Sequence, residues 1–271
     1  MPPNLDAAQE LMRRIRACAD GTEDPHYVVA MLLQAFPEKQ RLLSVHIPKC
    51  AGSHLRETAR LHLPLVEPNL GDPRWTTESR LHNALYTLLA KIADADAILA
   101  HGHVPLRWYL ARELKRPGGR LFAVVREPVA LLLSWADYVV TVLVSDPELR
   151  RPDTRLWRRE LALGDEPVPA HPAERLALAD RILCNSAIPV PNTLCSYLGD
   201  GDADSARELV AASGIELADF AHYGAWFDRT FGIPEGGRTD PSTPFLAGRS
   251  LTRRQRARVL EISEQDRVLY T

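Results

Sequence analysis

The sequence has few cysteines and no arrangement of them that points to a cross-linked or metal-stabilised fold. The 271 residues include four cysteines, and these are Cys18, Cys50, Cys184 and Cys195. They are widely spaced and form neither a CxxC pair nor a cluster with metal-ligand spacing. We therefore expect reduced thiols and no zinc site.

The chain also lacks an excess of one charge and a long apolar run. Thirty-three Lys and Arg nearly balance thirty-five Asp and Glu, so no global field attracts nucleic acid or an anionic membrane, and an anion must be held by local geometry. The N-terminus has no basic segment followed by an apolar run. Apolar stretches such as Val139 to Val144 are too short to span a bilayer. We expect a cytoplasmic protein without nucleic-acid or membrane partners.

Three short apolar segments have the composition of buried β-strands. They are Leu42 to Ile47, Ala97 to Ala100 and Leu121 to Val125. Helical patterns follow the first and the third, at Ser53 to Leu61 and Pro128 to Val144. Strands that alternate with helices predict an α/β fold with a central parallel sheet flanked by helices. Ligands of such sheets bind at the carboxyl ends of the strands.

The rest of the chain is predicted to complete one domain over residues 1–271. Residues 1–40 form a helical lead-in, with helices at Leu5 to Ala19 and His26 to Phe36, and residues 145–172 form an exposed excursion or lid. The remaining predictions are helices at Ala173 to Leu183, Ser205 to Ser213 and Arg253 to Tyr270, a strand at Phe220 to Tyr223, and a long loop from Gly232 to Arg249.

The loop after the first predicted strand has the features of an anion site. A strand, a turn with small residues and a helix start present backbone N–H groups and the positive helix end to an anion. Lysine adds a full charge and serine a hydroxyl. The predicted anion-binding residues are Lys49, Cys50, Ala51, Gly52, Ser53 and His54.

This loop does not follow the kinase pattern. In GxxxxGK[ST] the lysine follows the glycines, whereas Lys49 precedes Ala51 and Gly52, and no second acidic motif for magnesium is evident. A nucleotide kinase or NTPase is therefore disfavoured. The plainer alternative is a strand, turn and helix with one exposed lysine.

Polar residues also follow the other two predicted strands. Arg126 ends the third strand, and Ser134 lies eight residues later, two helical turns on, so the pair can hold a second phosphate. An arginine there can equally cap a structure or form an ion pair. His101 and His103 end the middle strand, and residues two apart on a strand share a face, so they can also be core histidines or a metal pair.

Taken together, these fragments resemble the superfamily of sulfotransferases that use 3′-phosphoadenosine 5′-phosphosulfate. His46-Ile47-Pro48-Lys49 followed by small residues resembles its 5′-phosphosulfate loop, with Cys50 where threonine is usual. Arg126 with Ser134 resembles its 3′-phosphate site, with Glu127 where aspartate is usual. His101-Gly102-His103 resembles the branch that includes heparan sulfate 2-O-sulfotransferase and bacterial carbohydrate-type enzymes.

The resemblance implies a P-loop-like fold and a metal-independent transfer of a sulfuryl group. The catalytic base would be His103, since imidazole titrates near neutral pH, and Lys49 would stabilise charge on the departing phosphate. Adenosine 3′,5′-bisphosphate would be the product. Arg238 or Arg249 could fold over the 3′-phosphate, and the segments 221–224 and 266–270 could complete the nucleotide pocket.

The acceptor is the least defined part of this prediction. Aromatic residues that follow two of the motifs can line a pocket for a small metabolite or a saccharide. The candidate acceptor residues are His101, Trp108, Trp135 and Tyr138. O- and N-sulfation and the formation of a homo-oligomer stay open. The rival predictions are a P-loop kinase or NTPase and a non-catalytic nucleotide-binding protein of the same fold.

Overall fold

The computed structural model describes residues 9–11, 13–14, 17, 26–68, 78–146, 152–164, 172–185, 187–188, 191–234 and 251–271. Within these ranges a five-stranded sheet is surrounded by helices. The strands are β1 (Gln40–Val45), β2 (Leu65–Val66), β3 (Ala97–Gly102), β4 (Arg120–Val125) and β5 (Glu216–Asp219).

The helices in the first half of the chain are α1 (His26–Ala35), α2 (Gly52–His62), α3 (Glu78–Asp94), α4 (Leu106–Ala111) and α5 (Pro128–Ser145). Those in the second half are α6 (Pro152–Glu160), α7 (Pro172–Cys184), α8 (Thr193–Leu198), α9 (Ala203–Ser213), α10 (Tyr223–Phe231), α11 (Arg253–Ile262) and α12 (Glu264–Tyr270).

All strand pairs in the sheet are parallel, in the order β2-β3-β1-β4-β5. The central strands β1, β3 and β4 are buried along nearly their whole length, as expected for parallel strands covered on both faces. The predicted α/β class with a parallel sheet is therefore confirmed. Each strand and helix predicted around the three motifs is present, with ends that differ by at most two residues.

Two predicted elements in the second half are placed differently in the structure. The strand predicted at Phe220 to Tyr223 is wrong, because the strand is β5 and the Asp219 side chain accepts a hydrogen bond from the N–H of Ala221, which turns the chain there. The helix predicted from Arg253 to Tyr270 is two helices that meet at Ser263.

The described part of the predicted exposed excursion or lid at 145–172 contains a helix, α6. Several of its residues are exposed, whereas Thr154 and Trp157 are buried. Trp157 packs in an apolar cluster with residues of α5 and α7. The Arg-rich composition of this segment gives little sign of the buried residues, because the apolar positions of α6 form one narrow stripe.

Helix α5 lies in that cluster, with Leu132, Ala136, Val139 and Leu143 buried. Among the described residues it is the one helix long and apolar enough to cross a bilayer, and over half of it is buried within the protein. A helix buried in a protein core can have the same length and apolar composition as a membrane-spanning helix. Most of the predicted helix at Leu5 to Ala19 and of the predicted loop at 232–249, with Arg238 and Arg249, lies outside the described residues.

Candidate functional site

The carboxyl ends of β1 and β3 bring four polar side chains onto one face of the sheet. Ser44 pairs in register with His101, and the N–H of His46 bonds to the carbonyl of Gly102. Since alternate residues of a strand share a face, His46 and His103 lie side by side one step further along.

The three histidines form a stack of rings. His46 is in the middle, with ring centroids 4.5 Å from His101 and 4.1 Å from His103 and interplanar angles of 19° and 21°. His101 is buried and its Nδ1 lies 3.0 Å from the Ser44 hydroxyl. The structure thus places the predicted His101 and His103 on either side of the His46 ring.

Burial keeps the inner two rings neutral. Desolvation, helped by the neighbouring histidines, lowers the pKa of His46 far below its ordinary value. Burial lowers the pKa of His101 to about 3, while its hydrogen bond to the Gly52 backbone acts in the opposite direction. Two neutral rings can stack at van der Waals distance without charge repulsion.

His103 differs from the inner rings because its side chain is exposed on one side. Its Nδ1 lies 3.0 Å from the carbonyl oxygen of His46. A carbonyl only accepts, so Nδ1 carries the proton in the neutral ring and Nε2 keeps its lone pair. Partial burial lowers the pKa of His103, and the hydrogen bond to the His46 carbonyl partly offsets this. The geometry thus leaves Nε2 ready to accept a proton.

The loop between β1 and α2 has an unusual backbone. Lys49 and Ala51 have φ values of 65° and 59°, a left-handed conformation that costs energy for residues other than glycine. The N–H of Cys50 bonds to the carbonyl of Ile47 at 3.1 Å. The turn itself therefore uses the N–H of Cys50, one of the predicted anion-binding residues.

The N–H groups that point out of this loop belong to the start of α2. The N–H of Leu55 makes the first bond of the helix, to Ala51 at 2.9 Å. The N–H groups of Ala51, Gly52 and Ser53 have no hydrogen-bond partner among the described residues. Three such groups at the positive end of a helix make a site for an anion.

Gly52 is required by the histidine stack. A Cβ at this position would lie 1.7 Å from Nε2 of His46, so any other residue would displace the ring. The sequence predicted that Gly52 binds an anion. In the structure, its lack of a side chain also lets the His46 ring pack against the start of α2.

Two cations meet beside this helix start. Arg126 donates from Nη1 to the carbonyl of Lys49 at 3.3 Å, and its guanidinium lies 4.3 Å from the centre of the Phe220 ring. The Lys49 ammonium lies 4.5 Å from the centre of the Tyr138 ring and has no hydrogen-bond acceptor among the described residues. Burial and Arg126 lower the pKa of Lys49, and Asp137 partly offsets them.

Cys50, Glu127 and Ser134 contribute in different ways. Burial raises the pKa of the Cys50 thiol well above its usual range, so the group stays protonated and is unsuited to act as a nucleophile. Glu127 caps α5 by accepting from the N–H groups of Val129 and Ala130. Ser134 is half-buried on α5, and its hydroxyl has no partner in the described part of the chain.

The predicted acceptor aromatics are divided between two places. Trp135 and Tyr138 contact each other and Trp157, and Tyr138 also carries the Lys49 ammonium. Trp108 instead packs against His26 and under the guanidinium of Arg112. Its described ring contacts do not include the histidine stack. Trp108 therefore has the environment of a packing residue.

Phe220 and Tyr197 had no site role in the sequence predictions, and His46 entered them only as the first residue of the loop motif. Phe220 lies under Arg126, Tyr197 lies beside His103 with ring centroids 6.2 Å apart, and His46 is the centre of the stack. The predicted His54 contacts a fourth aromatic, since its Nδ1 bonds to the hydroxyl of Tyr223. Only His46 had a signal in the sequence, its position two residues after Ser44 on a strand beside the His-x-His strand.

The closing segment has a structural role in the described residues. The buried Asp266 carboxylate accepts from the N–H groups of Leu194 and Cys195 at the start of α8, and the Tyr270 hydroxyl donates to Asp219. In the described ranges no group of three or more His, Cys, Asp and Glu residues is placed to hold a metal ion.

Comparisons of the chain with protein-family models, with curated proteins and with solved structures give no match.

Proposed function

We propose that the protein is a sulfotransferase that moves the sulfuryl group of 3′-phosphoadenosine 5′-phosphosulfate to a small ring-bearing acceptor. The observation that carries this proposal is the meeting of Lys49 and Arg126 at the start of α2. Two like charges held together in a partly buried place repel each other, and a bound anion would relieve that repulsion. We further propose that the fold is P-loop-like.

The residues fit a nucleotide with phosphates at both ends. The N–H groups of Ala51, Gly52 and Ser53 would hold the 5′ end, with Lys49 beside it. Arg126 would hold the 3′-phosphate with its planar fork of donors, joined by the Ser134 hydroxyl. Because the Lys49 carbonyl orients Arg126, both ends of the nucleotide would be bound by one connected unit.

When bound, the donor supplies a sulfuryl group whose bond to the phosphate oxygen breaks as its bond to the acceptor oxygen forms. Nε2 of His103 takes the acceptor's proton, because the His46 carbonyl fixes the proton of the ring on Nδ1. Lys49 stabilises the charge that develops on the phosphate oxygen. Its ammonium is suited to this, since Tyr138 contacts it through a ring face and uses none of its donors.

The stack supports His103 in this role. His46 covers one face of its ring, and Gly52 fixes His46. The base therefore packs on the ring that contacts the helix start proposed to bind the donor, and proton acceptance and group transfer would take place close together.

An acceptor screen with donor labelled in its sulfur tests the proposal. Phenols, simple glycosides and amines are offered in turn, and labelled product is separated from donor. We expect transfer to at least one hydroxyl compound without added magnesium. Binding of the donor with no transfer to any of them, including no hydrolysis above background, would contradict the catalytic part of the proposal.

A further inference from the structure

Tyr197 is the aromatic residue that approaches the accessible side of His103. Its ring lies edge-on to the imidazole, with centroids 6.2 Å apart and an interplanar angle of 62°. The imidazole is also stacked on His46. His103 therefore contacts two rings, one from the neighbouring strand and one, Tyr197, from a different part of the fold.

The position of Tyr197 is set by the end of the chain and not by the sheet. Helix α8 carries it, and Asp266 accepts the N–H groups of Leu194 and Cys195 at 3.0 and 2.8 Å. The N–H of Asn192 bonds to the carbonyl of Ile262, and the side chain of Asn192 accepts from Gln265. These bonds dock the start of α8 onto α11 and α12.

The hydroxyl of Tyr197 is not used by the fold. The residue is half-buried, and its ring packs at the edge of the main apolar core. In the described part of the chain the hydroxyl has no hydrogen-bond partner. Burial raises the pKa of the phenol, so the group stays protonated near neutral pH. A protonated hydroxyl can donate to or accept from a ligand.

We propose that Tyr197 is an acceptor-binding residue, whose hydroxyl bonds to the acceptor and whose ring forms the wall beside Nε2 of His103. The inference rests on the proposed function and extends it to the second substrate. An uncharged hydroxyl compound with a flat ring fits these surroundings, since an aromatic wall contacts ring faces.

The test uses 2-naphthol as the acceptor probe and adenosine 3′,5′-bisphosphate as the nucleotide. Wild type, Tyr197→Phe and the control Tyr27→Phe are titrated with 2-naphthol, with and without saturating nucleotide, and binding is followed by calorimetry. Tyr27 is an exposed tyrosine of α1, 44% accessible, so the control removes a hydroxyl far along the chain from the proposed wall.

We expect Tyr197→Phe to weaken 2-naphthol binding to the nucleotide-loaded protein by about 3- to 10-fold, the value of one hydrogen bond. Nucleotide affinity and the unfolding temperature should not change, which separates this role from a structural one. Tyr197→Ala should weaken 2-naphthol binding further, because it also removes the wall.

Equal affinities of wild type and Tyr197→Phe for 2-naphthol would overturn the inference, and so would an absence of 2-naphthol binding to loaded wild type. Failure of the bisphosphate to bind any of the three proteins would instead contradict the proposed function. The two failures are therefore distinguishable.

Discussion

The two ends of strand β1 each hold a buried or half-buried cation, and the two cations are treated differently. At the amino end, Arg41 is 2% exposed and donates to the carbonyls of Leu33 and Leu114 at 2.7 and 3.1 Å. At the carboxyl end, the Lys49 ammonium rests on a ring face and has no hydrogen-bond acceptor among the described residues. Arg41 donates to two backbone carbonyls, although its buried Nε has no partner in the described residues, whereas the Lys49 ammonium donates to none.

This difference separates a structural cation from a binding cation. Arg41 joins α1 and the loop before β4 to the sheet through two of its donors, while its buried Nε has no partner among the described residues. Lys49 and Arg126 lie where the strands end and a helix begins, and the Lys49 donors remain for a ligand. Burial of a charge is therefore not by itself a sign of function, and the place of Lys49 beside a second cation at a helix start is what distinguishes it.

The largest effect is expected at the base. His103→Ala should reduce transfer by about 10²- to 10⁴-fold, the usual contribution of a general base, and leave the affinity for adenosine 3′,5′-bisphosphate unchanged. Steady-state rates and calorimetry measure the two quantities. His62→Ala, an exposed histidine at the end of α2, is the control. Wild-type transfer in His103→Ala would remove His103 from this role.

The structural cation should affect stability and not binding. Arg41→Met removes two hydrogen bonds to buried carbonyls, and we expect the free energy of unfolding to fall by about 2–4 kcal/mol. Bisphosphate affinity at a temperature where the variant is folded should not change. Denaturant unfolding measures the first quantity. If Arg41→Met lost bisphosphate binding without losing stability, Arg41 would not be a structural cation.

The binding cation should show the reverse. Arg126→Met should weaken bisphosphate binding by about 10- to 100-fold, since it removes charged hydrogen bonds to the 3′-phosphate, and should have a smaller effect on adenosine 5′-phosphate. The exposed Arg256 supplies the control Arg256→Met. Equal losses for both nucleotides would make Arg126 a structural residue like Arg41.

The smallest effect concerns pH. The folded-state pKa of His101 is depressed to about 3, so its ring binds a proton in the unfolded chain below about pH 6.5 but not in the native protein. Stability is therefore fully present above that pH and falls as pH decreases, by about 1–2 kcal/mol from pH 7 to pH 5 for this residue. His101→Gln should lower this pH dependence, measured by unfolding at both values. An unchanged dependence would contradict a buried neutral His101.

Much of the sheet could be predicted from the sequence because its strands are short apolar runs that end at Pro48, His101 and Arg126. Parallel strands place such ends together, which brought most of the predicted site residues to one edge. Strand β2 has only two residues and α3 follows a segment without clear signals, so neither was predicted. The strand predicted at Phe220 to Tyr223 was wrong because the chain turns after Asp219.

The aromatic surroundings of the site could not be predicted, because they depend on contacts between distant segments. Tyr197 and Phe220 come from α8 and the loop after β5, more than 90 residues after His103 and Arg126. The histidine stack depends on the register of β1 against β3, which a single sequence does not determine when both strands are apolar.

Calorimetric titration of the wild-type protein with adenosine 3′,5′-bisphosphate in the absence of magnesium tests whether Lys49 and Arg126 form a nucleotide site. We expect tight binding that needs no metal and that weakens when the 3′-phosphate is removed. Magnesium-dependent binding of ATP, with no measurable affinity for the bisphosphate, would contradict it.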